Sequence, residues 1–141
     1  MTDKRPRNVR NNNPGNIRLS SDRWRGQVLP SPDRSFAVFK SPEWGYRALF
    51  VVLEGYMLRH GLRTIRGIIG RYAPPNENST GSYVRHVCRS TGWGPDDPLE
   101  PCGRVLQDLV RAIVLQEGGT PADEEAMMAG YRLYERGAVE F

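Results

Sequence analysis

Apolar residues repeat at helical spacing through most of the chain after residue 41. The clearest run lies between residues 45 and 57, and one face of it carries Ala48, Leu49, Val52, Leu53, Tyr56 and Met57. Ser41 precedes the run as a cap, Pro42 suits the first helical position, and Gly61 ends it. Later segments with the same spacing predict four further helices, at about 65–72, 80–91, 104–117 and 121–136.

The pattern before residue 41 is different. Residues 1–10 form a basic N-terminal arm, and segments 25–29 and 35–40 have the composition of short strands on either side of a turn containing Pro30 and Pro32. We therefore predict a mainly α (α+β) protein, with one compact helical domain at residues 11–141 that contains one small β-hairpin.

The asparagine-rich segment at residues 11–18 follows neither the helical nor the strand period. Asn and Gly tolerate left-handed backbone and Pro favours a turn, so the simplest interpretation is a polar surface loop. The alternative is functional. Side-chain amides beside an aromatic ring such as Trp24 are groups with which a protein can hold a neutral sugar.

Composition limits the function classes. At 141 residues, with 38% hydrophobic residues, the chain can form a single core, and no apolar run reaches the length of a membrane span. The net charge of +4 comes almost wholly from arginine. A basic surface suits a nucleic acid or an acidic cell-wall polymer equally well, and a solvated surface without a partner is as good an explanation.

Several kinds of site are not expected. Cys88 and Cys102 do not make a disulfide framework, and with His60 and His86 they lack metal-ligand spacing, so we expect neither a metal nor a cofactor. There is no glycine-rich phosphate loop and no nucleophilic serine in an elbow.

Glu117 is the candidate catalytic residue. It shares a helical stripe with Val110, Ile113 and Val114, and it lies at the helix end where the dipole is negative. Partial burial and this dipole both favour the protonated acid, as needed to protonate a glycosidic oxygen. The alternative is a carboxylate turned to solvent. Glu54 is a weaker candidate, because its position favours a salt bridge to Arg47.

A second unusual loop spans residues 72–80. It contains Tyr72, Asn76, Glu77 and Thr80, and Tyr83 follows one helical turn later. Prolines that end one helix and a hydroxyl residue that begins the next explain the loop structurally. The same groups also suit a groove for N-acetylated sugars, where Glu77 would supply a second carboxylate.

These motifs resemble those of the lysozyme-like superfamily, in its glucosaminidases and lytic transglycosylases. There a helix ends in a catalytic Glu within a pattern like Ala-Ile-x-x-Gln-Glu-Ser-Gly, and residues 112–119 are similar except that Gly118 replaces the Ser. An Asn-Asn-x-x-Gly/Asn-Ile loop, a Trp-x-Gly hairpin and a Phe-x-x-Phe/Tyr-x-Ser run are similar to residues 12–17, 24–26 and 36–41.

The order of these motifs implies a circular permutation, because the Glu helix comes last here instead of first. Permutation is tolerated where the ends of a domain lie close together. The chain is also similar to small phage and prophage proteins that carry Asn-Asn-Pro-Gly-Asn-Ile-Arg, some of them described only as virion structural proteins.

The resemblance implies a lysozyme-like fold and cleavage of peptidoglycan glycan strands, by a muramidase or a lytic transglycosylase. Glu117 and Glu77 would be catalytic. The substrate-binding residues would be Asn12, Asn13, Asn16, Arg18, Trp24, Tyr72, Asn76, Thr80 and Tyr83.

Phage virion or tail proteins are further expected partners. No secretory signal is visible. We therefore expect synthesis in the bacterial cytoplasm, followed by incorporation into a virion or delivery to the periplasm by another system. The alternatives are a non-catalytic phage structural or wall-binding protein with the same fold, and a nucleic-acid-binding protein, which no motif specifically supports.

Overall fold

The fold is mainly α-helical, which confirms the predicted class. The computed structural model describes residues 3–75 and 79–137. Within this part of the chain the helices, in order, are α1 (Arg7–Arg10), α2 (Pro42–Leu58), α3 (Ile65–Tyr72), α4 (Thr80–Thr91), α5 (Gly103–Gly118) and α6 (Glu124–Gly137). The lysozyme-like arrangement and the circular permutation stay predictions.

The helix ends follow local signals in the sequence. Ser41 is the extended residue before α2, with Pro42 in the first turn, and the Thr64 side chain caps α3 by accepting a hydrogen bond from the Gly67 amide at 3.1 Å. Gly92 and Gly119 end α4 and α5 with left-handed φ angles of 80° and 72°. These boundaries agree with the predicted helices.

The start of the last helix differs from the prediction. Thr120 and Pro121 have the composition of a helix start, yet α6 begins at Glu124. The reason is Asp123, whose carboxylate accepts a hydrogen bond from the Ala126 amide at 3.1 Å and so caps the helix. The Tyr46 hydroxyl accepts a bond from the Asp123 amide at 3.0 Å, which fixes this start against α2.

The predicted β-hairpin is replaced by isolated antiparallel bridges in the described residues. Gln27 pairs with Phe39, as the hairpin requires, but Arg18 also pairs with Phe36. Segment 36–39 therefore contacts residues 26–28 on one side and 17–19 on the other. The asparagine-rich loop supplies a third segment to what was predicted as a two-stranded element.

Helix α2 lies at the centre of the core and packs against α3, α5 and α6. Leu49, Phe50, Leu53 and Met57 are fully buried along it, facing apolar residues of α5 such as Ile113. α4 packs between α3 and α5, and α1 lies against α5. Three helices, α1, α2 and α4, therefore pack against α5, whose last turn contains Glu117.

No described helix combines the length and the apolar composition that crossing a membrane requires.

Candidate functional site

The asparagine-rich loop is a hydrogen-bonded structure built around Asn13. This side chain is fully buried; its amide donates to the Ile17 and Ala37 carbonyls at 2.9 and 2.8 Å, and its oxygen accepts from the Ile17 amide at 2.9 Å. Asn12 and Asn16 have left-handed φ angles of 50° and 51°, which asparagine tolerates better than most residues. The asparagines of this loop are therefore explained first by its backbone conformation and internal hydrogen bonds.

Asn12 has a structural role too. Its side-chain amide donates to the Phe39 carbonyl at 3.0 Å. A Cβ added to Gly45 would lie only 2.0 Å from the backbone carbonyl oxygen of Asn12. A side chain at position 45 would push the loop away from α2. Neither Asn12 nor Asn13 lines the cavity described below. Because Asn13 is fully buried, its predicted role in binding substrate is corrected to supporting the loop.

Glu117 lies in the last turn of α5, partly buried, with a hydrogen-bond donor on each carboxylate oxygen. The Asn16 side-chain amide donates to Oε1 at 3.0 Å, and the Tyr83 hydroxyl donates to Oε2 at 2.8 Å. No arginine or lysine in the described part of the chain forms an ion pair with it. The carboxyl group is thus oriented by neutral donors.

Tyr83 is buried beneath Glu117, with 3% of its surface exposed. Burial raises the pKa of the Tyr83 hydroxyl far above its usual value, and the neighbouring Tyr72 and Glu117 add to the rise. The hydroxyl therefore keeps its proton and acts as a permanent donor to Glu117. The prediction that Tyr83 lines the groove is corrected, because its ring is covered and its contact is with the carboxylate.

Tyr72 connects the loop to α3. Its hydroxyl donates to the Gly15 carbonyl. A Cβ added to Gly15 would lie 2.5 Å from the Tyr72 hydroxyl oxygen. Burial raises the pKa of Tyr72 well above its usual value, and the charge of Glu117 contributes. Position 15 therefore needs glycine, and the Tyr72 ring stands beside the candidate acid.

A cavity of about 690 Å³ opens beside these residues, and we call it the Glu117 cavity. Five of the predicted site residues line it, and they are Asn16, Arg18, Trp24, Tyr72 and Glu117. Thr80 lies instead on a separate cavity beside α4, and its hydroxyl donates to the Ala73 carbonyl. The predictions for Asn76 and Glu77 fall outside the described residues.

Several other residues on the Glu117 cavity were not among the predicted site residues. Asp22 and Phe36 come from the loops, whereas Tyr56, Arg59 and Arg71 come from the ends of α2 and α3. The helical spacing of Tyr56 indicated a core position, and it is in fact partly buried with one side on the cavity. How α2 meets α3 is a tertiary property, so spacing alone could not bring these groups together.

Asn8 explains the glycine that follows Glu117. The Asn8 side chain is 4% exposed and donates to the Pro14 carbonyl at 3.0 Å, so α1 is tied to the asparagine-rich loop. A Cβ on Gly118 would lie 2.4 Å from the Asn8 oxygen. Gly118 in place of the serine of the lysozyme-like pattern therefore makes room for Asn8, which holds the loop against the end of α5.

The competing carboxylate has a different environment from the predicted one. Glu54 accepts a hydrogen bond from the Tyr134 hydroxyl, and the buried Nε of Arg47 has no hydrogen-bond partner among the described residues. The salt bridge predicted between Glu54 and Arg47 is therefore wrong. Since Glu54 lies outside the Glu117 cavity, it is not placed to act there.

The two cysteines lie apart from the candidate acid, since neither lines the Glu117 cavity. Within the described residues, no group of three or more His, Cys, Asp or Glu side chains is close enough to hold a metal ion. Cys88 and Cys102 are both free thiols.

Comparison with known proteins adds a phage connection. No protein-family model matches the sequence. The chain is similar to protein P5 of Pseudoalteromonas phage PM2, with 43% identity over 129 residues that cover 89% of this chain and 79% of the phage protein.

Proposed function

We propose that this chain, which belongs to the family of protein P5 of Pseudoalteromonas phage PM2, is a phage-associated enzyme that cleaves the glycan strands of peptidoglycan. It acts as a muramidase or a lytic transglycosylase, and its other partners are virion or tail proteins. One observation carries the enzymatic proposal. Glu117 faces the cavity with each carboxylate oxygen held by a neutral donor, Asn16 or Tyr83.

In this mechanism Glu117 works first as an acid and then as a base. The protonated carboxyl group gives its proton to the glycosidic oxygen as the bond from that oxygen to the sugar C1 breaks. The resulting carboxylate then takes a proton from the hydroxyl that attacks C1. Each carboxylate oxygen accepts one hydrogen bond from the protein and keeps a second lone pair for this exchange.

The source of the attacking hydroxyl decides the product. If it belongs to the sugar itself, an anhydro ring forms, and one carboxylate is enough. If it is water, the product is a reducing end, and a second carboxylate is expected to help. Asp22 is the other carboxylate on the Glu117 cavity among the described residues, and Glu77 is the candidate from the sequence.

The wall of the Glu117 cavity suits a sugar polymer. Trp24 and Tyr56 contribute rings to this wall, and rings with a polar group at one edge pack against the apolar faces of sugars while that edge stays hydrated. The carbonyl oxygen of the Asn16 side chain has no hydrogen-bond partner in the described structure. The other end of this amide is the donor that holds Glu117, so the Asn16 side chain supports the acid from within the wall.

The test is digestion of purified peptidoglycan, with the products identified by mass spectrometry. We expect the wild type to release muropeptides and Glu117→Gln to release less than about one thousandth as much, because the amide cannot donate a proton to the leaving group. Glu125→Gln is the matched control, since it makes the same change at an exposed position of α6 outside the cavity.

The outcomes separate the alternatives. Anhydro products indicate a transglycosylase, whereas reducing ends indicate a hydrolase and call for Glu77→Gln and Asp22→Asn as further variants. Equal activity of wild type and Glu117→Gln would overturn the assignment of the acid. Binding to peptidoglycan without cleavage would favour a structural or wall-binding protein. DNA affinity that falls steeply with salt would favour a nucleic-acid-binding protein.

A further inference from the structure

Basic side chains surround one aromatic ring at the end of the Glu117 cavity formed by α2 and α3. The Arg71 guanidinium carbon lies 5.3 Å from the centre of the Tyr56 ring, and the His60 ring meets the same ring edge-on at 6.4 Å. Arg59 lines the cavity next to His60. We call Arg59, His60 and Arg71 the basic cluster.

Among the described residues, the two arginines of the basic cluster have no carboxylate paired with them. Arg59 and Arg71 are exposed, and neither forms an ion pair with a carboxylate in residues 3–75 or 79–137. The acids that line the cavity in residues 3–75 and 79–137 are Asp22 and Glu117, and Glu117 takes its hydrogen bonds from Asn16 and Tyr83. This end of the cavity is therefore cationic, which a neutral sugar does not require.

The basic cluster is connected to the candidate acid through ring contacts. The Tyr56 ring meets the Tyr72 ring edge-on at 6.4 Å, and Tyr72 stands beside Glu117 on the same wall. The candidate acid and the basic cluster therefore line the same cavity.

We infer that the basic cluster binds carboxylate groups attached to the glycan, so the substrate is glycan that still bears its peptides. In peptidoglycan the peptides hang from the muramic acid beside the bond that is cut, and their carboxylates are the anions nearest to that bond. Arginine suits this ligand, because its planar guanidinium pairs with a carboxylate through two parallel hydrogen bonds. The inference rests on the proposed function, since it takes the Glu117 cavity to be the glycan groove.

The test measures binding separately from cleavage. The probe is purified peptidoglycan sacculi in two forms, native and with the carboxyl groups converted to neutral amides by carbodiimide coupling to ammonia. Glu117→Gln protein is sedimented with each form, so that the glycan stays intact, and the ratio of the two affinities is recorded at low and high salt.

We expect the protein to bind native sacculi about tenfold more tightly than amidated sacculi, with the ratio falling as salt screens the contacts. Adding Arg59→Gln and Arg71→Gln should bring the ratio close to one. The matched control adds Arg104→Gln and Arg132→Gln, which remove the same net charge from exposed helix positions outside the cavity. This control should keep the ratio of the Glu117→Gln protein.

Three results would overturn the inference. They are equal affinity for the two forms, an equal loss in the control, and tighter binding to duplex DNA that depends on Arg59 and Arg71. The last result would make the basic cluster a nucleic-acid site. Wild-type protein that cleaves neither form while the charge-dependent binding persists would refute the proposed enzymatic function and leave the carboxylate site standing.

Discussion

Tyr83→Phe tests whether the orientation of Glu117 matters for the proposed reaction. The substitution removes only the hydroxyl, which donates to Glu117 Oε2 at 2.8 Å from a ring that is 3% exposed. The ring stays in the core, and Asn16 still donates to the other carboxylate oxygen. The perturbation is therefore confined to one of the two bonds that hold the carboxyl group.

The expected size follows from that geometry. A hydrogen bond to a charged group contributes about 1.5–3 kcal/mol, and partial exposure of Glu117 lets water replace some of it, so we take about 1.5 kcal/mol. If the bond keeps the acid in its reactive position, kcat should fall about tenfold. KM should stay near the wild-type value, because Tyr83 does not line the cavity.

The assay follows muropeptide release against peptidoglycan concentration, with unfolding in urea measured on the same samples. Tyr134→Phe is the matched control, because it removes a hydroxyl that donates to Glu54, a carboxylate outside the Glu117 cavity. Both variants should lose about 1.5 kcal/mol in the free energy of unfolding, because each removes a hydrogen bond to a carboxylate. Only Tyr83→Phe should lose activity.

Three results would refute this reasoning. Unchanged kcat in Tyr83→Phe would mean that Asn16 and the helix orient Glu117 without help. A raised KM with unchanged kcat would mean that the hydroxyl acts on substrate binding. An equal loss of activity in Tyr134→Phe would mean that general destabilisation accounts for the effect.

Two further predictions concern the loop that carries Asn16. Burial raises the pKa of Asp33, but four hydrogen bonds to its carboxylate outweigh this effect and leave the pKa well below its usual range. The donors are the Ser35 amide, the Asn11 side chain, the Phe36 amide and the Arg7 guanidinium. This stabilisation is fully present above the unfolded pKa near 3.9 and is lost as pH falls towards the folded value. Asp33→Asn should therefore lower the free energy of unfolding by about 1–3 kcal/mol at pH 7, with a smaller difference from wild type in urea unfolding at pH 3; an undiminished difference would contradict this. Gly118→Ala should cost about 1–3 kcal/mol because its Cβ would lie 2.4 Å from Asn8. In urea unfolding, the cost of Gly118→Ala should shrink when it is measured in an Asn8→Ala background, and an equal cost in both backgrounds would show that the contact with Asn8 is not the cause.

The helices could be predicted from the sequence because their determinants are local. Ser41 and Pro42 before α2, Thr64 before α3 and the glycines after α4 and α5 act within a turn of each helix end. The start of α6 was missed because two caps compete there. Thr120-Pro121 has the usual composition, but Asp123 also bonds to Tyr46, more than seventy residues away.

The candidate site could be predicted only in part, because an amide side chain looks the same in the sequence whether it binds a ligand or the backbone. Asn13 and Asn16 stand three residues apart in one motif, yet Asn13 is buried in the loop and Asn16 reaches Glu117. Glu117 was predicted from its place at the end of an apolar stripe, and the structure places it on the cavity. Tyr83 was predicted to bind substrate, whereas the structure shows it buried and donating to Glu117. The sequence could not show this burial, because it depends on how α4 packs against α5.

The bond between Asn16 and Glu117 joins residues 101 positions apart. During synthesis the loop leaves the ribosome before α5 does. The hydrogen bond from Asn16 to Glu117 can form only after the end of α5 has been made. Contacts of such separation form late and slowly, because a long loop must close before they contribute stability. The arrangement proposed to cut the cell wall is therefore completed only when both distant parts of the chain have folded together, and a partly folded chain does not hold it.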